Sequence, residues 1–246
     1  MNGGTDNRAG WIEECLMREY VLRQILSEKP TGEVSLWQHK QLDSGLILRR
    51  CLASPEVYQR LLGVVHPNLP QIYEVVEEDG KLLILEEYIP GQLLSGLADD
   101  LIGKQQRVRR IGLSLCDAVY CLHRRGIIHR DIKPENIMVE DVNDRVRLLD
   151  FTAARCKKGI GAENCDTVCL GTAPYAAPEQ FGVTQTDERT DIYALGILLN
   201  ILMTGRHPSQ VICGGRMGRI IRRCIRINAD ERYSSASQLK NALWRL

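Results

Sequence analysis

The sequence predicts an α+β fold in two parts, a small antiparallel sheet with one short helix and then a larger, mainly helical region. Short apolar runs separated by turn residues fill residues 20–88, and this pattern is typical of strands. After Pro90-Gly91 the apolar residues recur at helical spacing. The chain has 246 residues, of which 44% are hydrophobic, so it can bury the core of one large domain or of two smaller lobes.

Five strands are predicted before residue 90. They are Tyr20–Leu26, Glu33–His39, Leu46–Leu52, Ile72–Glu77 and Leu82–Tyr88. Asp43-Ser44-Gly45 and Asp79-Gly80 supply hairpin turns, since Asp and Gly tolerate the backbone angles that tight turns need. One helix interrupts the strands; Ser54 is its predicted N-cap, Pro55 its first residue, and Val64 its end.

Helices account for most of the second part. Residues 107–124 carry one apolar stripe, formed by Val108, Ile111, Leu115, Val119 and Leu122. The same spacing predicts three further helices, Asp191–Thr204, Met217–Arg226 and Ser235–Leu246. A short helical lead-in, Trp11–Tyr20, precedes the first strand. We therefore predict a tail and lead-in over residues 1–19, a first lobe over 20–90 and a second lobe over 91–246.

The composition argues against several classes of protein. Basic and acidic residues balance at 32 and 31, which disfavours a dedicated nucleic-acid binder. We expect no membrane segment, because no apolar stretch is long enough to cross a bilayer and residues 1–10 lack the apolar core of a signal peptide. The nine cysteines are odd in number and scattered, so a reducing cytoplasm is expected. Cys165 and Cys169 lie four apart, but no second Cys or His pair completes a zinc site.

The segment His129–Asn136 carries residues suited to phosphoryl transfer. That reaction needs a carboxylate that orients the attacking hydroxyl and accepts its proton, metal ligands, and a cation near the transferred group. Asp131 supplies the base, Asn136 a magnesium ligand and Lys133 the cation. Asp150 follows an apolar strand and offers the second magnesium ligand.

These residues resemble the protein-kinase family of the eukaryotic-like Ser/Thr type. The sequence has that family's H-R-D-x-K-P-x-N loop at His129–Asn136 and its D-F metal site at Asp150-Phe151, in the same order and spacing. A third segment, Gly171–Glu179, is similar to the end of a kinase activation segment, which closes with A-P-E. With three motifs in agreement, the alternative that the first segment is a polar turn capping strands is disfavoured.

The resemblance implies a two-lobed protein-kinase-like fold of compact bacterial type, with ATP and two Mg²⁺ ions between the lobes. Thr172 would position the substrate hydroxyl near Asp131. Glu179 would pair with Arg232, while Asp191 would brace the catalytic loop from beneath. The structural residues that it implies are His129, Arg130, Glu179, Asp191 and Arg232.

The first lobe departs from the family pattern where the phosphates should bind. The loop that covers them has the pattern G-x-G-x-x-G-x-V, of which only Gly32 and Val34 are present. Ser27 and Lys29 replace two glycines, and side chains there restrict φ and hold backbone amides farther from a phosphate. Thr152 replaces the glycine of the metal-site motif, which removes backbone freedom at that hinge.

Arginine replaces the lysine that grips the α- and β-phosphates in the family. Alignment of the third strand places Arg50 at that position, with Arg49 as the other register. The helix carboxylate that usually holds the lysine falls on Val57, and Glu56 is one residue away. Glu86 takes the gatekeeper position, where a buried charge needs a partner, and Arg50 or Arg49 would be that partner. Arg50 could instead pair with Glu56 if the short helix shifts.

The implied function is Mg²⁺-assisted, ATP-dependent phosphorylation of Ser/Thr hydroxyls on protein substrates, with backbone groups of Glu87 and Ile89 holding adenine. If Thr167 is phosphorylated, its phosphate would pair with Arg130.

Two alternative functions stay open. A pseudokinase, a module that binds partners or nucleotide without efficient transfer, is favoured by the departures in the first lobe and opposed by the intact catalytic set. A small-molecule phosphotransferase is opposed by the A-P-E segment, which presents peptide substrates in protein kinases.

Overall fold

The computed structural model describes residues 8–140, 145–157, 174–181 and 186–246. These residues form two compact units. The first takes in the chain up to Val65 together with Pro70–Ile89, and the second takes in His66–Leu69 and Pro90–Leu246. The predicted α+β fold class is confirmed, since one unit contains a five-stranded sheet and the other is mainly helical.

The first unit is built on an antiparallel sheet whose strand order is β1-β2-β3-β5-β4. Its strands are β1 (Tyr20–Lys29), β2 (Gly32–His39), β3 (Gly45–Cys51), β4 (Ile72–Glu78) and β5 (Lys81–Glu87). All five strands match the predicted ones to within a few residues. The predicted turn between β4 and β5 is present, because Asp79 and Gly80 both have positive φ, as a two-residue hairpin turn requires.

Helix α1 (Arg8–Glu19) belongs to the core of the first unit. Its residues Ala9, Ile12 and Leu16 form one helical stripe and pack against Leu48 and Leu83 of the sheet. Burying a side chain such as Ile12 or Leu16 contributes about 1.5–3 kcal/mol through the hydrophobic effect. The sequence predicted a lead-in outside the first lobe, whereas the structure shows a helix that covers one face of the sheet.

Helix α2 (Pro55–Leu61) is shorter than predicted. Val57, Tyr58 and Leu61 are buried, so the helix packs through one side. It ends before Val64 because Leu62 forms a bridge with Ile72 and Gly63 adopts a φ of 71°, a left-handed conformation that terminates helices.

The described residues of the second unit form five α-helices and two small sheets. Its helices are α3 (Leu94–Leu97), α4 (Gln105–Arg124), α5 (Glu188–Thr204), α6 (Gly215–Cys224) and α7 (Ala236–Trp244). Its strands are β6 (Gly91–Leu93), β7 (Ile127–Ile128), β8 (Ile137–Glu140), β9 (Val146–Leu148) and β10 (Arg155–Cys156), paired as β6-β8-β9 and β7-β10. The long predicted helices are therefore confirmed, with ends that differ by a few residues.

Helix α5 lies at the centre of the second unit. Eleven of its residues are buried, from Thr190 to Leu202. Asp187 caps its start by accepting a hydrogen bond from the Arg189 amide, and Gly205 ends it with a φ of 68°. A helix that is apolar on nearly all sides has to be surrounded by other elements, and α4, α6 and α7 all pack against it.

Within the described ranges, no helix combines the length and the apolar character that crossing a membrane would require. Seven cysteines fall in these ranges and all are free thiols: Cys15, Cys51, Cys116, Cys121, Cys156, Cys213 and Cys224. Cys165 and Cys169 lie outside the described residues.

Candidate active site

The predicted catalytic loop brings three polar side chains together in the second unit. The loop follows β7, and its last residues form a short 3₁₀ turn, Pro134–Asn136, that leads into β8. The carboxylate Oδ2 of Asp131 lies 2.7 Å from Nζ of Lys133 and accepts a hydrogen bond of 3.0 Å from Nδ2 of Asn136. Nδ2 of Asn136 also donates to the Asp131 carbonyl at 2.9 Å. One carboxylate oxygen is therefore fixed by two donors from its own loop.

His129 links this loop to the segment that follows β9 and carries Asp150. Its Nε2 donates to the Leu149 carbonyl at 3.1 Å, and its Nδ1 accepts from the Asp131 amide at 3.3 Å. Its ring also makes an edge contact with the Phe151 ring at a centroid distance of 5.6 Å. The side chain thus has a structural role, and the imidazole is completely buried.

Asp191 holds the loop from α5. It is fully buried, and it accepts backbone hydrogen bonds from His129 at 3.0 Å and from Arg130 at 2.8 Å. Burial alone would raise the pKa of this carboxyl, but the hydrogen bond and the charge of His123, the charge of His129 and the Arg130 amide together outweigh burial and lower its pKa. Arg130 has a φ of 70°, which is strained for an arginine, and the bond to Asp191 helps to keep it there.

Two residues of this network were not anticipated from the sequence. His123 belongs to none of the sequence motifs, yet its Nε2 lies 2.8 Å from Asp191 Oδ2. Gln180 follows the A-P-E motif; its Nε2 donates to the Arg130 carbonyl at 2.8 Å, and its Oε1 accepts from the Ala177 amide at 3.0 Å. The sequence does indicate that His123 lies near the catalytic loop, because this residue is in the last turn of α4, six residues before His129. The sequence offers no comparable signal for Gln180.

Asp150 lies beside Asn136. The Leu149 amide donates to the Asn136 carbonyl at 2.8 Å, which brings the two segments together. Asp150 has a φ of 62°, and its Oδ1 accepts bonds from the amide and the hydroxyl of Thr152, at 3.2 and 2.8 Å. The threonine that replaces the family's glycine therefore holds the Asp150 side chain instead of leaving it free to turn.

The donor set at Asn136 and Asp150 fits Mg²⁺. Nδ2 of Asn136 bonds to Asp131, so the amide oxygen is directed away from that residue. Amide and carboxylate oxygens are hard ligands, and Mg²⁺ is commonly bound by one or two such groups together with substrate phosphates and water. The described ranges contain no group of three or more His, Cys, Asp or Glu side chains that could hold a metal by themselves.

The predicted ion pair between Glu179 and Arg232 is present and buried. Nη1 and Nη2 of Arg232 bind the two carboxylate oxygens of Glu179 at 2.7 and 2.9 Å. Thr190 donates a third bond to Glu179, and the Arg232 guanidinium also donates to the carbonyls of Arg226 and Ile227. Burial works to raise the pKa of the Glu179 carboxyl, but its bonds to Arg232 prevail and lower it.

Replacing Arg232 with Met should lower the free energy of unfolding by about 3–5 kcal/mol, because Glu179 would be left as a buried charge without its partner. Arg226→Met is the matched control, since Arg226 is exposed and its ion pair with Glu231 is long at 3.7 Å. Urea denaturation of the three proteins measures the difference. A loss below about 1 kcal/mol for Arg232→Met would contradict this account of the pair.

Arg49 and Arg50 lie on opposite faces of the first-unit sheet. Arg49 is paired with Val34 across β3 and β2, and its side chain is buried. Its Nε and Nη2 donate to Oε1 of Glu86 at 3.1 and 2.9 Å. Arg50 lies on the α1 face, where Nη2 donates to Glu13 at 2.7 Å. Of the two partners predicted for Glu86, Arg49 is confirmed and Arg50 is not, because successive strand residues alternate between faces.

The predicted pair of Arg50 with Glu56 is not formed either. Glu56 Oε1 accepts a bond of 2.6 Å from Nη2 of Arg60, its neighbour one turn later on α2. Val57, which aligns with the family's helix carboxylate, is fully buried.

The segment predicted to cover phosphates is a hairpin, and the pairing of its strands is interrupted by an irregularity between Ile25 and Ser27. Strands β1 and β2 are paired up to Lys29 and Gly32, so only Pro30 and Thr31 form the turn. A Cβ atom on Gly32 would lie 2.1 Å from the Arg50 carbonyl oxygen, so the close approach of β3 already requires a glycine there. The presence of Gly32 is thus explained by sheet packing.

The remaining predicted residues are placed as follows. The amide of Glu87 donates to the Gln71 carbonyl at 2.9 Å, and Oε2 of Glu87 accepts from the Gln71 amide at 3.0 Å. Ile89 is buried. Thr172 and Thr167 lie outside the described residues, as do Gly171 and Ala173 of the third motif.

The chain is similar to protein kinases over most of its length. Residues 51–244 match the family described as protein kinase domain. Serine/threonine-protein kinase pkn3 of Myxococcus xanthus is 34% identical over 220 residues, which cover 81% of this chain and 40% of the relative. PknB of Mycolicibacterium smegmatis is 33% identical, with 78% and 33% covered, and serine/threonine-protein kinase C of Synechocystis is 29% identical, with 94% and 50% covered. The chain therefore spans half or less of the length of these curated relatives.

Proposed function

Because the chain belongs to the protein kinase family, we propose that it transfers the γ-phosphoryl group of ATP to Ser or Thr hydroxyls of protein substrates. The observation that carries this proposal is the cluster of Asp131, Lys133 and Asn136 beside Asp150. Each of the three functions that phosphoryl transfer requires has a residue in this cluster. The relatives named as serine/threonine-protein kinases support the same substrate class.

Asp131 acts as the base in this proposal. Its carboxylate orients the substrate hydroxyl and accepts its proton. The oxygen bonds to the γ-phosphorus as the bond from that phosphorus to the leaving ADP breaks. Lys133 supplies positive charge next to that carboxylate, where negative charge develops on the transferred group. Asn136 and Asp150 would hold Mg²⁺, which would neutralise phosphate charge when bound. Thr172 positions the hydroxyl, as the family resemblance implies.

The nucleotide-binding residues of the first unit are proposed on weaker matches to the family pattern. We assign the phosphate-binding cation to Arg49 in place of Arg50, because Arg49 shares a sheet face with Val34, the valine that covers the nucleotide in the family. Val34 and the hairpin ending at Gly32 would cover the nucleotide. Backbone groups of Glu87 and Ile89 would contact adenine, and because the Glu87 amide already binds Gln71, its carbonyl is the group proposed.

A pseudokinase is not favoured. Its support was the loss of the glycines and the lysine from the first lobe, but a buried arginine occupies the face on which the lysine is expected. The groups that perform the chemistry are present in the second unit. A small-molecule phosphotransferase is not favoured either, since the A-P-E segment and the named relatives both belong to protein kinases.

Transfer of label from γ-³²P-ATP to a generic protein substrate, in the presence of Mg²⁺, tests the proposal. We expect label on phosphoserine and phosphothreonine after acid hydrolysis, and loss of the signal when EDTA removes the metal ion. Absence of labelled protein with several generic substrates, in a preparation that binds Mg·ATP, would count in favour of a pseudokinase. Label found only on small molecules would favour the second alternative.

A cytoplasmic location is part of the proposal. It is supported by the seven described cysteines, none of which forms a disulfide. The proposed partners are protein substrates. The balanced charge of the chain argues against nucleic acid as a partner.

A further inference from the structure

Glu86 and Arg49 form an ion pair inside the first-unit sheet. The family resemblance implies a gatekeeper residue at Glu86 and, in one of the two possible registers, the phosphate-binding lysine at Arg49. We infer that Glu86 is the positioning residue for Arg49, and that it replaces the helix carboxylate that usually holds the phosphate-binding cation. The inference rests on the proposed function, because it assigns Arg49 to the phosphates of ATP.

The strand register explains why these two side chains meet. Strands β3 and β5 are neighbours, with Arg49 paired to Ile84 and Ile47 paired to Glu86. Arg49 and Glu86 are therefore diagonal neighbours on one sheet face, at a separation that long side chains can bridge. Both Nε and Nη2 of Arg49 bind the same carboxylate oxygen, Oε1, at 3.1 and 2.9 Å. Two bonds from one edge of a planar guanidinium fix its plane and its direction.

Burial makes the two residues dependent on each other. Arg49 is 9% exposed and Glu86 is 5% exposed. A charge removed from water is costly unless an opposite charge compensates for it, so neither side chain is stable at this place without its partner. The pair is for this reason a fixed part of the sheet, unlike an ion pair between exposed side chains, which readily exchanges with water.

Helix α2 does not provide the carboxylate. The family position falls on Val57, which is fully buried, and the neighbouring Glu56 is bound to Arg60 on the exposed side. In the usual arrangement, moving the helix breaks the cation's ion pair and switches the kinase off. Here both partners lie on adjacent strands of one sheet, so a movement of α2 would leave Arg49 in place. Control of this kinase by displacement of that helix is thus not expected.

A double-mutant cycle on Mg·ATP binding tests the inference. Its variants are Glu86→Gln, Glu86→Leu, Arg49→Met and Arg49→Met with Glu86→Leu, and Glu56→Gln is the surface control. Calorimetry gives the affinity for Mg·ATP, and steady-state kinetics give KM for ATP and kcat. Thermal unfolding identifies variants that are not folded; Glu86→Gln keeps the shape of the side chain and is included in case Glu86→Leu does not fold.

We expect Glu86→Leu to weaken Mg·ATP binding and raise KM for ATP by about 10- to 100-fold, the range for losing a charge-assisted hydrogen-bond partner. Glu86→Gln should have a smaller effect, because its amide oxygen still accepts from Arg49. In the Arg49→Met background, Glu86→Leu should restore thermal stability and change the affinity for ATP by less than about 3-fold. Glu56→Gln should match the wild type. A purely structural role for Glu86 would lower stability without raising KM.

Equal losses of ATP affinity from Glu86→Leu with and without Arg49 would overturn the inference, because Glu86 would then act independently of Arg49. If Glu86→Gln and Glu86→Leu both fold and both keep the wild-type KM for ATP, the inference is overturned as well.

Failure of the proposed function is recognised by a different result. A wild-type protein that binds Mg·ATP but transfers no phosphate contradicts the kinase proposal and leaves the binding cycle measurable. A wild-type protein that binds no Mg·ATP contradicts both.

Discussion

Replacing Asp131 with Asn should lower kcat by a factor on the order of 10²–10⁴, the range for loss of a general base. The substitution keeps the shape of the side chain and its acceptor oxygen, so the loop should remain folded. What disappears is the negative charge that accepts the hydroxyl proton, and with it the partner of Lys133 at 2.7 Å. Phosphate transfer to a protein substrate at saturating Mg·ATP measures the effect.

Glu135→Gln is the matched control for Asp131→Asn. Glu135 lies in the same loop and is exposed, and the substitution removes the same charge by the same chemical change. It should leave kcat within about 2-fold of the wild type, as is usual for surface substitutions. If the two variants were equally active, Asp131 could not be the base, and the phosphate-transfer chemistry would have to be assigned to another residue.

Replacing Asp150 with Ala should abolish Mg²⁺-dependent transfer and weaken Mg²⁺-dependent ATP binding, because the site loses its anionic ligand. The Thr152 hydroxyl and amide also lose their acceptor, so the segment after β9 is less well fixed. Asp117→Ala is the control, since Asp117 is a surface residue paired with Lys240. The affinity for ATP is measured by calorimetry with and without Mg²⁺.

Calorimetry separates this outcome from a general loss of folding. We expect the Asp150→Ala protein to bind ATP with nearly the same affinity whether or not Mg²⁺ is present, while Asp117→Ala keeps the difference shown by the wild type. An Asp150→Ala protein with wild-type affinity for Mg·ATP would exclude Asp150 as a metal ligand.

The fold was largely predictable because its elements carry regular patterns. Turn residues separate the strands, and a stripe such as Val108 to Leu122 specifies a helix that packs through one side. The ends of elements were less predictable, since they depend on contacts distant in sequence. Helix α2 ends early because Leu62 pairs with Ile72, and no residue near Leu62 in the sequence predicts that bridge.

The register of β3 shows where reading the candidate site from the sequence fails. A shift of one residue moves a side chain to the other face of a sheet. The usual guide to the face is alternation between apolar and polar residues, but Ile47 and Leu48 are both buried, one on each face. Arg49 and Arg50 then follow as two chemically identical candidates. The match to the kinase domain begins at residue 51, the last residue of this strand, and does not resolve the choice.

The residues of the catalytic loop, in contrast, were predictable because their assignment does not depend on the register of a strand. Its residues are specified by chemistry at fixed spacing, so Asp131, Lys133 and Asn136 could be named without knowledge of any contact distant in sequence. The supporting residues could not all be named in this way. Gln180 holds the Arg130 carbonyl, and that role depends on the path of two loops that are 50 residues apart.

The packing of α1 matters for anyone who shortens this gene. A reader guided by the kinase motifs alone would begin the expressed protein near Tyr20, where the first strand starts. Such a protein would lack Ala9, Ile12 and Leu16 and would leave Leu48 and Leu83 open to water. An apolar surface of this kind favours aggregation. Poor yield of a protein shortened in this way would then reflect missing core residues, and should not be taken as evidence that the full chain is unstable.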